Sequence, residues 1–147
     1  QQLKLTEEDY RGERFKSHPS DIKGNNDLLC LTQPEHITRI HEDYFAAGAE
    51  IAETNTFNGT AIAQADYGTQ DLVYEINKAA AELCKAAADR VMAKDPSKPR
   101  FVAGALGPTN KTLSVSPSVE NPAFRNCSFD ELVTAYKEQI RGLMDGG

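Results

Sequence analysis

The sequence predicts an α/β fold built on a parallel sheet, and three observations carry that expectation. Two short apolar runs, Ala49 to Glu53 and Phe101 to Leu106, each end in a polar loop of the kind found above a strand. Helical periodicity occupies the stretches before, between and after them, giving the order helix, strand, helix, strand, helix. The connections are long enough for right-handed parallel crossovers. Two strands cannot make an independently stable parallel sheet, because both faces and both edges need cover. A closed barrel of alternating strands and helices takes about 250 residues, so the 147 residues here are expected to supply a sector of one, with two or three strands.

Along the chain, residues 1–26 are polar and irregular, with turn signals at His18-Pro19-Ser20-Asp21 and Gly24-Asn25-Asn26. They are expected to wrap a surface rather than form a domain. Asp27 to Leu31 is expected to be a brief strand or an extended approach to a helix. Thr32 and Glu35 have capping-box spacing with Pro34 in the first turn, which opens a helix. Ile37, Ile40 and Tyr44, flanked by His41 and Phe45, mark its face, and Gly48 closes it. After the first strand, a broken connection through Tyr67-Gly68 leads to the longest helix, about Gln70 to Lys94. Leu72, Ile76, Ala79, Ala80, Leu83, Ala87 and Val91 form its inner face. Pro96 and Pro99 mark the linker to the second strand. The loop from Gly107 to Asn126 is too long for a mere connector and is expected to be functional. Ser128 and Glu131 form another capping box, and the helix they open is expected to bury Leu132, Val133, Tyr136, Ile140 and Leu143 before ending at Gly146.

Composition narrows the classes. The chain is 39% apolar and 26% charged, with net charge −6 and no tryptophan. No apolar run approaches the roughly 20 residues of a bilayer span, and no membrane partner is expected. The negative charge argues against a nucleic-acid surface, which needs clustered Lys and Arg. Cys30, Cys84 and Cys127 are odd in number and far apart, which fits a reducing, cytoplasmic setting better than a disulfide framework.

Candidate chemistry collects at the two strand tops, where sites in such folds gather. In Glu53-Thr54-Asn55-Thr56-Phe57, alternation puts Ile51, Glu53 and Asn55 on one side and Ala52, Thr54 and Thr56 on the other. A carboxylate, two hydroxyls and an amide there can orient a small polar substrate, and loop N–H groups can bind a carboxylate. Equally, Thr54 and Thr56 can simply satisfy the loop backbone while Asn55 makes a turn. In Gly104 to Asn110, Gly104 and Gly107 permit close backbone approach, and Pro108 stiffens the exit. The segment lacks the GxxxxGK[ST] spacing of a phosphate loop. Cys84 and Cys30 fall in apolar surroundings and are expected to be buried thiols. Cys127, just before a helix N-cap, has no partner base nearby in sequence. His36 and His41 do not share a helix face. No nucleophile–base pair and no metal-ligand set emerges.

At these same residues the chain resembles a known family. Glu53 to Phe57, the run Ala63-Gln64-Ala65-Asp66-Tyr67-Gly68, and the long stretch from Phe101 to Pro117 are similar to the homocysteine-binding domain of cobalamin-dependent methionine synthases, within the homocysteine S-methyltransferase family. The likeness covers essentially the whole chain, so residues 1–147 are identified as the N-terminal portion of such a domain, a partial (βα)8 TIM barrel incomplete on its own. The resemblance implies a zinc ion that binds homocysteine as its thiolate, since metal coordination deprotonates a thiol outright. It also implies separate folate-binding and cobalamin-binding domains in the same polypeptide, and transfer of the methyl group of methyltetrahydrofolate, through methylcobalamin, to give methionine.

The family's zinc ligands include a Gly-Cys-Cys element that this sequence lacks, so no metal is expected to be held by this chain alone, and no residue here is assigned a catalytic role. By the same resemblance, Thr54, Asn55, Thr56 and Phe57 match a loop that cradles the amino-acid end of homocysteine, Glu53 matches a position facing the barrel interior, and Gly107 matches the third strand top. Their contribution is positioning rather than chemistry. Two alternatives stay open: a fragment of a cobalamin-independent homocysteine S-methyltransferase, and a non-catalytic piece that only associates with the rest of the barrel.

Overall fold

The computed structural model describes residues 3–147. Two parallel strands, β1 (Ile51–Glu53) and β2 (Phe101–Ala103), pair in register with Ala52 opposite Val102. Among the described residues, six α-helices accompany them: α1 (Glu7–Arg11), α2 (Leu29–Thr32), α3 (Pro34–Ala46), α4 (Ala61–Gln64), α5 (Val73–Lys94) and α6 (Phe129–Asp145). Short 3₁₀ turns at Ala65–Tyr67 and Gln70–Leu72 join α4 to α5. The expected α/β order therefore holds, with both strands shorter than the apolar runs that announced them.

The leading segment is more structured than its polarity promised. Thr6 and Asp9 form a reciprocal capping box that opens α1. Arg11 then gathers the chain behind it, donating to the carbonyls of Phe15, His18 and Ser20. Tyr10, Phe15 and Ile22 enter a core shared with Leu28, Leu29, Cys30, Ile37, Ile76 and Ala80. Asp27 to Leu31 is neither strand nor extended approach: the stretch turns directly into α2. There Asn25 Oδ1 accepts from the Leu28 N–H at 3.4 Å and Leu28, Leu29 and Cys30 are buried.

Because Thr32 closes α2, the expected Thr32–Glu35 capping box does not form. The N-cap of α3 is Gln33, without a side-chain cap, and its amide instead donates to the Asp9 carbonyl at 2.7 Å. The buried face of α3 is Ile37, His41 and Phe45, one position round the helix from the expected stripe. Ile40 and Tyr44 are exposed at 38% and 64%. Gly48, at φ +107°, ends the helix as expected.

A second core lies beneath the sheet, where Phe45, Ala52, Cys84, Ala87 and Ala88 pack with Val102 and Val91 at its margin. The inner face of α5 follows the predicted period at Ile76, Ala80 and Ala87, while Leu72, Ala79, Leu83 and Val91 sit at the margins of the two cores. The predicted Ser128–Glu131 capping box is present at the start of α6. The buried face of that helix, however, is Ala135, Gln139 and Gly142. Leu132, Val133, Tyr136 and Leu143 are half-buried and Ile140 is exposed. Small residues win this face because α6 lies close against α5: a Cβ on Gly142 would stand 2.7 Å from the Tyr74 carbonyl and 2.9 Å from Asn77 Cβ.

Candidate functional site

The two strand tops are tied into one unit. The Glu50 carbonyl accepts from the Phe101 N–H at 2.8 Å, and the Thr54 N–H donates to the Ala103 carbonyl at 3.0 Å. Beyond the ladder the threonine hydroxyls take over. Thr54 Oγ1 accepts from the Ala105 N–H at 2.9 Å, and Thr56 Oγ1 donates to the Ala105 carbonyl at 2.8 Å. Thr56 has spent its single proton, so in the 2.7 Å contact between the two hydroxyls Thr54 is the donor. Both side chains are buried, and Ala105 is held from both sides as if the ladder ran two residues further.

The loop from Thr54 to Gly59 is also held from below by three carboxamides, all fully buried. Gln139 of α6 donates to the Thr56 carbonyl at 2.8 Å and reaches the Ala105 carbonyl at 3.4 Å. Gln64 of α4 donates to the Asn58 carbonyl at 3.0 Å, and Asn77 of α5 to the Gly59 carbonyl at 2.7 Å. The arrangement is not free of cost. Asn77 Oδ1 and Gln139 Oε1 have no partner among the described residues, and a buried unsatisfied acceptor costs about 1–3 kcal/mol.

From the other side, Asn55 Nδ2 donates to the Asn26 carbonyl at 2.7 Å and approaches Cys30 Sγ at 3.6 Å. Asp27 Oδ1 accepts from the Asn58 N–H at 2.8 Å. Burial pushes the Asp27 carboxyl up to about 6 despite that hydrogen bond. Burial likewise pushes the Cys30 thiol up to about 12 and the Cys84 thiol up to about 11. Both thiols face backbone carbonyls, Cys30 that of Asn55 and Cys84 that of Ala52.

What remains open at this end is Glu53, exposed on the strand, Asn55, half-buried, and the Phe57 ring, 59% exposed. The alternation expected of β1 is observed: Ala52, Thr54 and Thr56 turn inward to the helices, and Ile51 and Glu53 face the other way. Gly107 is buried directly against Phe57. A Cβ there would collide with the Phe57 carbonyl and stand 2.9 Å from its ring, so only glycine admits this approach. Tyr136 of α6 fixes the place by donating to the Gly107 carbonyl at 2.8 Å. Glu53 through Phe57 and Gly107 thus share one end of the molecule. Gln139, Gln64 and Asn77 support it from beneath and Asp27 from the other side. No sequence signal marks them as a set, since the three amides are lone polar residues on separate helices and Asp27 precedes α2.

A cleft of about 510 Å³ runs beside β1, lined by Ile37, Ile40, His41, Tyr44, Ile51 and Glu53 among others. His41 is buried there with Nε2 unpartnered among the described residues, and burial lowers its pKa. Among the described residues, no three His, Cys, Asp or Glu side chains come together as a cation cage. With two thiols raised by burial and turned toward carbonyls, the donor set does not fit the zinc that the resemblance implies. No helix among the described residues is long and apolar enough to cross a membrane.

An α/β scaffold with a joined pair of strand tops is the class of structure in which enzymes hold small substrates. Residues 1–147 match the family described as homocysteine S-methyltransferase, and the chain belongs to that family. Among solved structures it is similar to the homocysteine methyltransferase MmuM from Escherichia coli. The oxidized form gives a TM-score of 0.62 and the metallated form 0.63, each at 25% identity and covering 81% of this chain. The chain spans 41% of the length of those structures.

Proposed function

We propose that this chain is the N-terminal sector of a homocysteine-binding (βα)8 barrel, and that its strand tops form one wall of the homocysteine pocket. The observation that carries this reading is the joining of the β1 and β2 tops through Thr54, Thr56 and Ala105, which leaves Glu53, Asn55 and Phe57 presented together. The N–H groups of Asn55 and Phe57 take no partner among the described residues. They offer two donors for an amino-acid carboxylate, and Glu53 offers an acceptor for its ammonium. The residues bind and orient; the sulfur-activating metal would be held by residues other than these.

Uncovered apolar surface supports the barrel sector. Ile51 and Phe101 are register partners on the open sheet face, exposed at 60% and 58%. The ladder to β2 uses Glu50 and Thr54, so the N–H and C=O groups of Ile51 and Glu53 point to the opposite edge, along the 510 Å³ cleft. On the flanks, α3 exposes Ile40 and Tyr44, and α6 exposes Ile140 and Met144. Each of these surfaces is one that a neighbouring strand or helix of a closed barrel covers.

For the methyl donor, the Gly104 to Pro117 stretch supports the cobalamin-dependent methionine synthase reading, with methylcobalamin charged from methyltetrahydrofolate. The likeness to a simpler homocysteine methyltransferase supports a cobalamin-independent enzyme equally well. The test is to supply the polypeptide containing this chain with homocysteine and, in parallel, with methylcobalamin plus methyltetrahydrofolate, S-methylmethionine, or betaine. Methionine formed with the first donor alone is expected. Formation with either of the others selects the alternative, and no methionine from any donor overturns the homocysteine reading.

A further inference from the structure

We propose that Gln139 is the positioning residue of the homocysteine pocket: its buried carboxamide sets the spacing of the two strand tops and so the orientation of Asn55 and Phe57. The inference rests on the homocysteine reading above. Gln139 comes from α6, 83 residues away from Thr56 in sequence, yet its Nε2 binds the Thr56 carbonyl at 2.8 Å and the Ala105 carbonyl at 3.4 Å. These two carbonyls belong to different strand tops, so one side chain reads the distance between them. Thr56 Oγ1 closes the same joint from above, on the same Ala105 carbonyl, at 2.8 Å.

Three features separate this residue from a core glutamine that happens to be satisfied. It is fully buried, and its single side-chain oxygen, Oε1, has no partner among the described residues, so an apolar side chain of equal length would relieve an unmet demand. The adjoining residues of its helix point the same way, for Tyr136, one turn earlier, binds the Gly107 carbonyl at 2.8 Å. The helix therefore holds both the β1 loop and the glycine that lies against Phe57. Finally, Gly59 leaves room for the amide, since a Cβ there would stand 2.9 Å from Gln139 Nε2. A side chain that only filled space would need none of these.

The experiment uses the full polypeptide that contains this chain and compares wild type with Gln139→Met, which keeps length and removes both donors. The expected result is a rise in the KM for homocysteine of at least tenfold, with kcat within threefold and the KM for the methyl donor unchanged. Loss of folded enzyme alone lowers apparent kcat and leaves KM in place, so a fall in kcat at constant KM overturns the proposal, as does a KM within twofold of wild type. Thr56→Val, which opens the same joint from the other side, is expected to raise the same KM. The double variant is then expected to lose less than the product of the two single effects, and full multiplicativity counts against a shared joint. If Gln139→Met does not accumulate as folded protein, Gln139→Asn, which keeps the carboxamide on a shorter stem, is judged by the same KM criterion; insolubility of both makes the residue structural and overturns the proposal. Failure of the wild type to methylate homocysteine retires the homocysteine reading itself, before any variant is compared.

Discussion

Gly107 is packed against the Phe57 carbonyl with no room for a Cβ between them. The contact brings the loop after β2 over the loop after β1 and determines where the Phe57 ring stands. Gly107→Ala forces the two loops apart, and overpacking of this kind costs about 1–3 kcal/mol. Homocysteine binding is expected to weaken along with stability. Gly104→Ala is the control, because its added Cβ meets Leu143 Cδ1, the far end of a side chain, at 3.0 Å, and chemical denaturation is expected to show a smaller loss there.

Thr56→Val leaves the Ala105 carbonyl without its 2.8 Å donor and the Thr54 hydroxyl without its acceptor. Stranding buried partners costs about 1–3 kcal/mol. Thr56→Ser restores both hydrogen bonds and is expected to recover most of the loss. Metal content of the full polypeptide, measured by atomic absorption, is expected to be the same in all three proteins, as the substrate-positioning role proposed for Thr56 requires. A parallel loss of zinc would show that assignment to be wrong.

Asp27 gives stability a pH dependence. Its folded pKa is raised from 3.8 to about 6, chiefly by burial. An acid whose folded pKa is raised favours the fold below its unfolded value, and that advantage is lost as pH rises through the interval up to about 6. Asp27→Asn can still accept the Asn58 N–H but carries no charge. It is expected to be more stable than wild type at pH 7, by no more than about 2–3 kcal/mol, and equal to it near pH 4. Urea melts at the two pH values check this, and an Asn variant less stable at pH 7 would refute it.

The thiols are expected to be inert. Cys30 and Cys84 are buried, with pKa values pushed up to about 12 and about 11, so little thiolate exists at pH 8. Ellman's reagent is expected to leave both unmodified in the native protein and to titrate them once denaturant is added. Rapid modification of Cys30 without denaturant would contradict the packing beneath Asn55.

Zinc is expected to be lost from the 147-residue chain when it is dialysed alone against a weak chelator, because its donors do not converge. Retention of one equivalent would place the metal site within these residues.

Much of the fold was legible because it depends on local rules. The Ser128–Glu131 box, the Gly48 stop and the alternation of β1 each follow from neighbouring residues, and each appears as expected. Two helix faces differ from expectation for a common reason: periodicity points their apolar residues inward, yet α3 exposes Ile40 and Tyr44, and α6 exposes Ile140. Apolar residues on an exposed helix face have the same period as core residues, so sequence alone does not separate the two. The capping box at Thr32 failed because α2, too short to show a period, claimed that threonine first. Thr54 and Thr56 were visible as a motif, but whether their hydroxyls serve backbone or ligand depended on Ala105, far along the chain. Gln139 gave no signal, since a glutamine in a helix is ordinarily solvated and its partners here lie on two other elements.

The bare rim of β1 has a consequence for handling. Backbone groups at Ile51 and Glu53, next to the uncovered Ile51 and Phe101 side chains, are a template for any strand that arrives. If the proposed neighbouring strand is what covers this rim, the chain handled by itself is expected to associate through it as concentration rises.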